Sequence, residues 1–286
     1  MITVLVTGVR GKTGRQVAAA LRSRDGVRVR GAGRSLGENA PPTGVDEAVA
    51  FDWNNEASWT DAVRGAEAIY LVKPRTADPA ATVSSFLSVL RGTRVVLLSE
   101  VGAERRHDSA TERAVEKVVE ESGLDFVLLR LNWFMQNFVE PSFYLDDIRL
   151  KGQLRLPTAG QATSFIDTRD IGEAAATCLL EARYSAHAFT LTGPQALTWH
   201  KVSSLVSSAA GYEVSHLDVP LEGYLRELAD AGTSATSVDY WRRVLSEVTS
   251  GGTGAVTKDV EQLTGRTPRS FRDFVDENAG LWARER

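Results

Sequence analysis

Three glycines near the start of the chain carry the first chemistry that can be read from it. Thr7-Gly8-Val9-Arg10-Gly11-Lys12-Thr13-Gly14 spaces them as GxxGxxG, directly after the apolar run Thr3–Val6 and before a helically spaced stretch, Gln16–Leu21. Between a strand and a helix, one such glycine permits the tight turn. Another lets the backbone approach a pyrophosphate, and the third lets helix and strand pack closely. The helix start then offers unpaired N–H groups and the positive end of its dipole to phosphate. The pattern predicts a dinucleotide site framed by Gly8, Gly11 and Gly14, with Arg10, Lys12 and Thr13 beside it. A P-loop is excluded. Gly11-Lys12-Thr13 imitates the end of GxxxxGK[ST], but the first glycine of that motif would fall on Val6.

Which dinucleotide follows from charge. Chains that bind NAD place a carboxylate at the end of the second strand, about 20 residues on, for the ribose 2′-hydroxyl. Here that region reads Arg30-Gly31-Ala32-Gly33-Arg34-Ser35, without an acid. Arg34 can clamp a 2′-phosphate and Ser35 can donate a hydrogen bond to it, so the expected cofactor is NADP(H). Asp52 and Trp53 follow the third strand, and Asp52 either reaches the adenine edge or is a plain loop residue. Val72-Lys73 ends the fourth strand, where the chain should pass under the middle of the cofactor. Ser99 either bonds the nicotinamide ribose or simply ends a strand.

The elements that must position these residues alternate. Strand-like runs fall at 3–6, 27–32, 48–51, 68–72, 94–99 and 126–129, with helix-like stretches at 16–21, 57–63, 80–90 and 111–122 between them. Such alternation implies parallel strands with right-handed crossovers, hence an α/β, doubly wound Rossmann sheet with helices on both faces. Beyond Leu131 the pattern loosens. Asp170 reads as the N-cap of a helix Ile171–Leu180, Phe189–Leu191 as a late strand and Trp199–Ala210 as a helix stopped by Gly211. Ser250–Gly254 reads as a flexible loop, with helices at Thr257–Leu263 and Ser270–Trp282. The expected organisation is a cofactor domain over 1–150 and a smaller C-terminal substrate lobe over 151–286, of which about 163–192 returns to the sheet.

Composition narrows the classes. The chain has 286 residues, 43% of them apolar, and a net charge of −4, so nothing general draws it to nucleic acid. A single cysteine, Cys178, forbids an internal disulfide and a thiolate zinc site. The four histidines, at 107, 187, 200 and 216, lack ligand spacing, so no metal is expected. No run approaches the roughly 20 apolar residues of a membrane span, and no basic, apolar leader precedes the first strand. A cytoplasmic protein acting on a small molecule is expected, with oligomeric state left open.

Further segments carry a family resemblance. The glycine loop, Phe51-Asp52-Trp53, Tyr70-Leu71-Val72 and Val95–Ser99 resemble the short-chain dehydrogenase superfamily. Ser122-Gly123-Leu124-Asp125, Leu128–Asn137, Phe165–Asp170, Leu191-Thr192-Gly193-Pro194 and the segment 264–271 are similar to its NmrA-like atypical branch, and within it to bacterial relatives of ergot alkaloid reductases. The resemblance implies an NADP-binding Rossmann domain, a small substrate lobe and no Tyr-xxx-Lys pair. The stretch 111–122 agrees, having no tyrosine. Leu131-Asn132 departs from the branch, whose members usually carry proline after the arginine. Members reduce quinones or iminium-type intermediates, and others are non-catalytic redox sensors.

The missing tyrosine bears on the substrate. Reducing an unactivated ketone needs an acid for the developing alkoxide, whereas an iminium ion needs only hydride and a quinone accepts water as its acid. An NADPH-dependent reductase of an electron-poor, aromatic or alkaloid-like molecule of secondary metabolism is therefore expected. The alternatives are an NADP(H)-binding redox sensor and a cofactor-retaining isomerase or cyclase. No catalytic acid can be named. Trp133, Phe134, Tyr144 and Phe165, with Met135 and Phe138, either form a flat aromatic pocket or belong to the core. Asn132, Gln136 and Asn137 are candidates to orient a substrate carbonyl.

Overall fold

Apolar runs too short for helices and flanked by turn residues become parallel strands, and the amphipathic stretches between them become crossovers. The computed structural model describes residues 1–34, 36 and 41–283. In chain order the elements are β1 (Ile2–Thr7), α1 (Gly14–Arg22), β2 (Val27–Gly33), β3 (Glu47–Ala50), α2 (Ala57–Val63), β4 (Ala68–Val72), α3 (Pro79–Ser88), β5 (Arg94–Glu100), α4 (Thr111–Glu120) and β6 (Phe126–Leu131). They continue with β7 (Gln153–Leu156), β8 (Ala162–Thr163), α5 (Thr168–Leu180), β9 (His187–Leu191), β10 (Leu197–Thr198), α6 (Trp199–Ala210) and β11 (Ser215–Asp218). The last are α7 (Leu221–Asp230), α8 (Ala235–Thr249), α9 (Asp259–Thr264) and α10 (Phe271–Glu277).

Among the described residues seven strands form one all-parallel sheet in the order β3-β2-β1-β4-β5-β6-β9. The strand order reverses direction between β1 and β4, the switch point beyond which open α/β sheets take their ligands. One face carries α2, α3 and α4, whose Trp59, Phe86, Val115 and Val119 pack on Leu5, Ile69, Leu71 and Leu97. On the other face α1 and α5 meet closely. A Cβ on Gly172 would fall 2.6 Å from the carbonyl oxygen of Gln16.

The chain divides into two compact units. Unit 1 comprises Met1–Leu131, Thr168–Leu191 and Asp259–Arg266. Unit 2 comprises Asn132–Asp167, Thr192–Lys258 and the chain from Thr267 onward. The first break falls after Leu131, where β6 ends, and not near residue 150. Unit 2 has its own core around Phe138, Phe165, Trp199, Leu245 and Phe271, with two short ladders, β8 with β10 and β7 with β11.

Three local expectations are corrected. Helix α5 starts at Thr168, so Asp170 lies in its first turn and is not the cap. Thr257 and Lys258 precede α9, which begins at Asp259; that carboxylate accepts from the Thr190 N–H at 2.7 Å. The Ser250–Gly254 segment is not a free loop. Thr253 is 1% exposed, and its carbonyl accepts from the Ser164 N–H and the Asn132 amide. Glycine content suggested mobility, and burial of the backbone removes it.

Candidate functional site

The loop after β1 is built almost entirely by backbone. Thr7 ends the strand, where the β1–β4 ladder pairs only Val4–Val6 with Ala68–Tyr70. Beyond that ladder the Thr7 hydroxyl donates to the Tyr70 carbonyl and accepts from the Val72 N–H, both at 2.9 Å. Gly8 turns the chain in the left-handed region at φ +62°, where a side chain is strained. Its carbonyl accepts from the Gly11 N–H at 2.8 Å. Gly14 opens α1 so close beneath the loop that a Cβ would overlap the Gly8 carbonyl and lie 2.9 Å from the Val9 Cα. Thr13 is the N-cap residue of α1, yet its side chain caps nothing and the first turn holds no acidic residue. No side-chain cap and no acid thus meets the opening of α1, where the Arg15 and Gln16 N–H groups donate to the Gly11 and Thr13 carbonyls at 3.2 and 2.9 Å. An anion fits such a terminus.

Around this loop the charge is positive. Arg10 and Arg34 are exposed, and neither forms an ion pair among the described residues. Lys12 is half-buried. Arg34 follows β2 immediately. The nearby carboxylates are used elsewhere: Asp46 accepts from the Val29 N–H and pairs with Arg22, and Glu47 pairs with Arg28 and Arg30. Ser35, the other expected 2′-phosphate ligand, lies outside the described residues. Asp52 is half-buried, and its carboxylate accepts from the Asn54 N–H, a local loop bond. The Trp53 ring packs edge-on against Phe51 and Phe86 at 4.8 and 5.1 Å.

The ends of β4 and β5 are different in kind. Lys73 donates to both Glu100 and Glu112, and Arg106 binds the same two carboxylates. Ser99 donates at 2.7 Å to Glu116, which also receives Arg113 and Arg130. Glu112 and Glu116 stand one turn apart on α4 with side chains 1% and 0% exposed. Burial works to raise the Glu112 carboxyl; the charge and hydrogen bond of Lys73, joined by Arg106, outweigh it and hold the carboxyl below its ordinary range. Glu116 is held low in the same way, burial being overcome first by Arg130 and Ser99 and then by Arg113. Both are therefore ionised at neutral pH, and neither can act as a proton donor there. Lys117, the remaining cation of α4 facing out, pairs with Asp108.

The sequence reading puts Lys73 and Ser99 beside the cofactor but misses their partners. The signal was available: Glu112, Val115, Glu116 and Val119 share one helical face, so two acids ride on an apolar stripe.

In unit 2 several expected substrate residues turn out to be structural. The Asn132 amide donates to the Ser164 hydroxyl at 2.7 Å and the Thr253 carbonyl at 2.8 Å, and its carbonyl accepts from the Trp133 N–H at 2.8 Å. Both amide hydrogens are engaged within the protein in this way, so the side chain anchors the chain. Phe165, 1% exposed, is boxed by Phe138, Trp199 and Phe271 at 5.1 to 5.4 Å. Tyr144 packs on Phe138 and Trp199, and burial raises its phenol well above the ordinary value. Both are core residues, not the walls of an open pocket. Gln136 and Asn137 are buried, and the Gln136 amide donates to Asp167 at 2.9 Å. Trp133 and Phe134 are half-buried and keep part of their rings at the surface. Cys178 is buried, its thiol pushed up to about 12 by desolvation, so it is inert. Among the described residues no group of three or more His, Cys, Asp or Glu could hold a metal, and no helix is long and apolar enough to cross a membrane.

Comparisons with known proteins agree with this architecture. The model of the NmrA-like family matches residues 2–271. The prestalk A differentiation protein A of Dictyostelium discoideum is 29% identical, over 96% of this chain and 92% of its own. Agroclavine dehydrogenase of Claviceps fusiformis is 25% identical, over 98% of this chain and 99% of its own. The solved NADPH complex of an NADPH-dependent quinone oxidoreductase from Escherichia coli superposes with a TM-score of 0.80 at 18% identity, covering 96% of this chain and 99% of that one.

Proposed function

The chain belongs to the NmrA-like family, and from that premise we propose that it is an NADP(H)-dependent oxidoreductase that passes hydride to an electron-poor small molecule of the iminium, imine or quinone type. The observation that carries the cofactor half is the glycine loop, whose backbone leaves the start of α1 uncapped, with exposed Arg34 just past β2. Arg34 meets the 2′-phosphate as a planar, permanently charged fork. Gly8, Arg10, Gly11, Lys12, Thr13 and Gly14 surround the diphosphate, and Val72 and Lys73 border the middle of the cofactor. In this reading unit 1 holds the cofactor, and Trp133, Phe134, Gln136 and Asn137 of unit 2 contribute to acceptor recognition.

The acceptor half rests on what α4 carries. Its inward positions hold two ionised, fully engaged carboxylates, and Ser99, which could have served an acid, is bonded to one of them. A side-chain acid for a developing alkoxide is missing from this helix, which favours acceptors that need hydride alone or that take their proton from water. The relatives support the same class: one is named for dehydrogenation of a clavine alkaloid and a structural neighbour for quinone reduction.

Titration with NADPH and NADH, followed by nicotinamide fluorescence, tests the cofactor half. Tighter NADPH binding that Arg34→Ala abolishes is the expected result, and equal affinities remove the 2′-phosphate argument. An acceptor screen with quinones and cyclic iminium ions tests the rest. Turnover with either class supports the reductase. Unequal affinity for NADP+ and NADPH without turnover on any acceptor would instead make the protein a redox sensor, the reading the missing acid also suits.

A further inference from the structure

Tyr70 is a polar side chain that the fold places under the glycine loop without giving it a partner. Its strand neighbours Ile69 and Leu71 belong to the core on the α2–α4 face, so alternation sends the Tyr70 ring to the opposite face, the one that α1 and α5 cover. Along β4 it stands in register with Val6, two residues before Gly8. The backbone is pinned by ladders to β1 and β5 and by the Thr7 hydroxyl on the Tyr70 carbonyl. The ring is 0% exposed, and its hydroxyl has no hydrogen-bond partner among the described residues.

Such an orphaned buried hydroxyl calls for an explanation, because burial without a partner forfeits the bonds it made to water. The Thr13 hydroxyl is close enough to oppose the upward push that desolvation gives the phenol, yet the two form no bond of regular geometry. Thr13 itself sits at the N-cap position of α1 with its side chain capping nothing. Two hydroxyls that could bond each other therefore meet at the opening of a nine-residue helix, on the inner side of a loop shaped for an anion.

We propose that Tyr70 is a positioning residue for the dinucleotide, its phenol donating to the Thr13 Oγ1 so that the Thr13 hydroxyl turns its own hydrogen toward a diphosphate oxygen seated at the start of α1. No proton is transferred; the phenol orients a donor. The inference rests on the cofactor reading given above. It predicts opposite signs for stability and affinity: the free protein carries the strain of an unpaired phenol, and the diphosphate relieves it.

The test is a double-mutant cycle of Tyr70→Phe and Thr13→Val, with NADPH affinity by fluorescence titration and melting of the cofactor-free protein. Tyr70→Phe should melt at or above the wild-type temperature while weakening NADPH about fivefold. Thr13→Val should weaken it by a similar factor, and the double variant no further than the worse single one, as members of one relay behave. A Tyr70→Phe protein that binds like wild type, or effects that simply multiply in the double variant, overturns the relay. So does a loss of affinity that only follows a lowered melting temperature. If the wild type itself binds no NADPH, the cofactor reading falls and the relay with it; if the wild type binds and the variants are indifferent, only the relay falls.

Discussion

Two regions at the carboxyl edge of the same sheet solve opposite problems. The loop after β1 is made of backbone, with no side-chain cap or acid at the start of α1 and the exposed Arg10 and Arg34 beside it. The ends of β4 and β5 are made of charge that is already matched: Lys73 and Arg106 against Glu100 and Glu112, and Arg113 and Arg130 against Glu116. The first region is underused by the fold and so open to a ligand. The second is saturated and so belongs to the scaffold. A high density of ionisable groups is therefore a poor guide to the reacting centre here; unmet bonding capacity is a better one.

The strongest way to break this contrast is to open the saturated region. Glu116→Ala leaves Arg113 and Arg130 beside a vacated buried position and should cost about 3–5 kcal/mol, read as a lowered midpoint in chemical denaturation. Acid should act on the same carboxylates. The folded values of Glu112 and Glu116 lie below those of the unfolded chain, so their stabilisation is full above the unfolded carboxylate range and disappears as pH falls through the folded values. Thermal midpoints recorded from neutral to acidic pH should drop across that window, and Glu116→Gln should flatten the drop; an unchanged profile in Glu116→Gln would remove Glu116 as its source.

Next in size is damage to the open region. Gly14→Ala forces a Cβ into the Gly8 carbonyl and should weaken NADPH by roughly 100-fold, about 2.7 kcal/mol. Arg34→Ala should cost about tenfold for NADPH and almost nothing for NADH, since one charge-assisted contact is lost to a group NADH lacks. An equal loss with both cofactors would move Arg34 from specificity to general attraction. Smallest is Lys73→Met, which leaves Glu112 to Arg106. A loss of about 1 kcal/mol in stability is expected, with NADPH affinity weakened about twofold where Lys73 borders the cofactor. A collapse of turnover at intact stability would show that this region is not scaffold after all.

What the sequence disclosed follows the same division. The glycine loop and the alternating elements were legible because each depends on neighbours in the chain: GxxGxxG needs only a strand before it and a helix after it. The central strands were legible because both of their faces are buried. Asn132, Phe165 and Thr253 were not, because their roles come from partners far along the chain. Asn132 finds Thr253 121 residues away, and no spacing rule reaches that distance. Helices α7 and α8 also went unread. Most of their residues are half-buried or exposed, so their apolar stripes are narrow. Glu112 and Glu116 went unread for a third reason, since buried acids are not expected unless the matching cations are already known.

The division of the chain into segments has a consequence for synthesis. The polypeptide passes from one unit to the other five times, after Leu131, Asp167, Leu191, Lys258 and Arg266. When a ribosome has made the first 150 residues, the edge strand β9 and the helices α5 and α9 of unit 1 do not yet exist. The nascent sheet waits with β6 as an open edge, and β6 reads Phe-Val-Leu-Leu-Arg-Leu, an apolar strand inviting pairing with another chain. Cutting the gene near codon 150 would make that transient edge permanent, so a fragment designed as a minimal cofactor domain should aggregate, while one that joins residues 168–191 and 259–266 back to 1–131 should stay in solution.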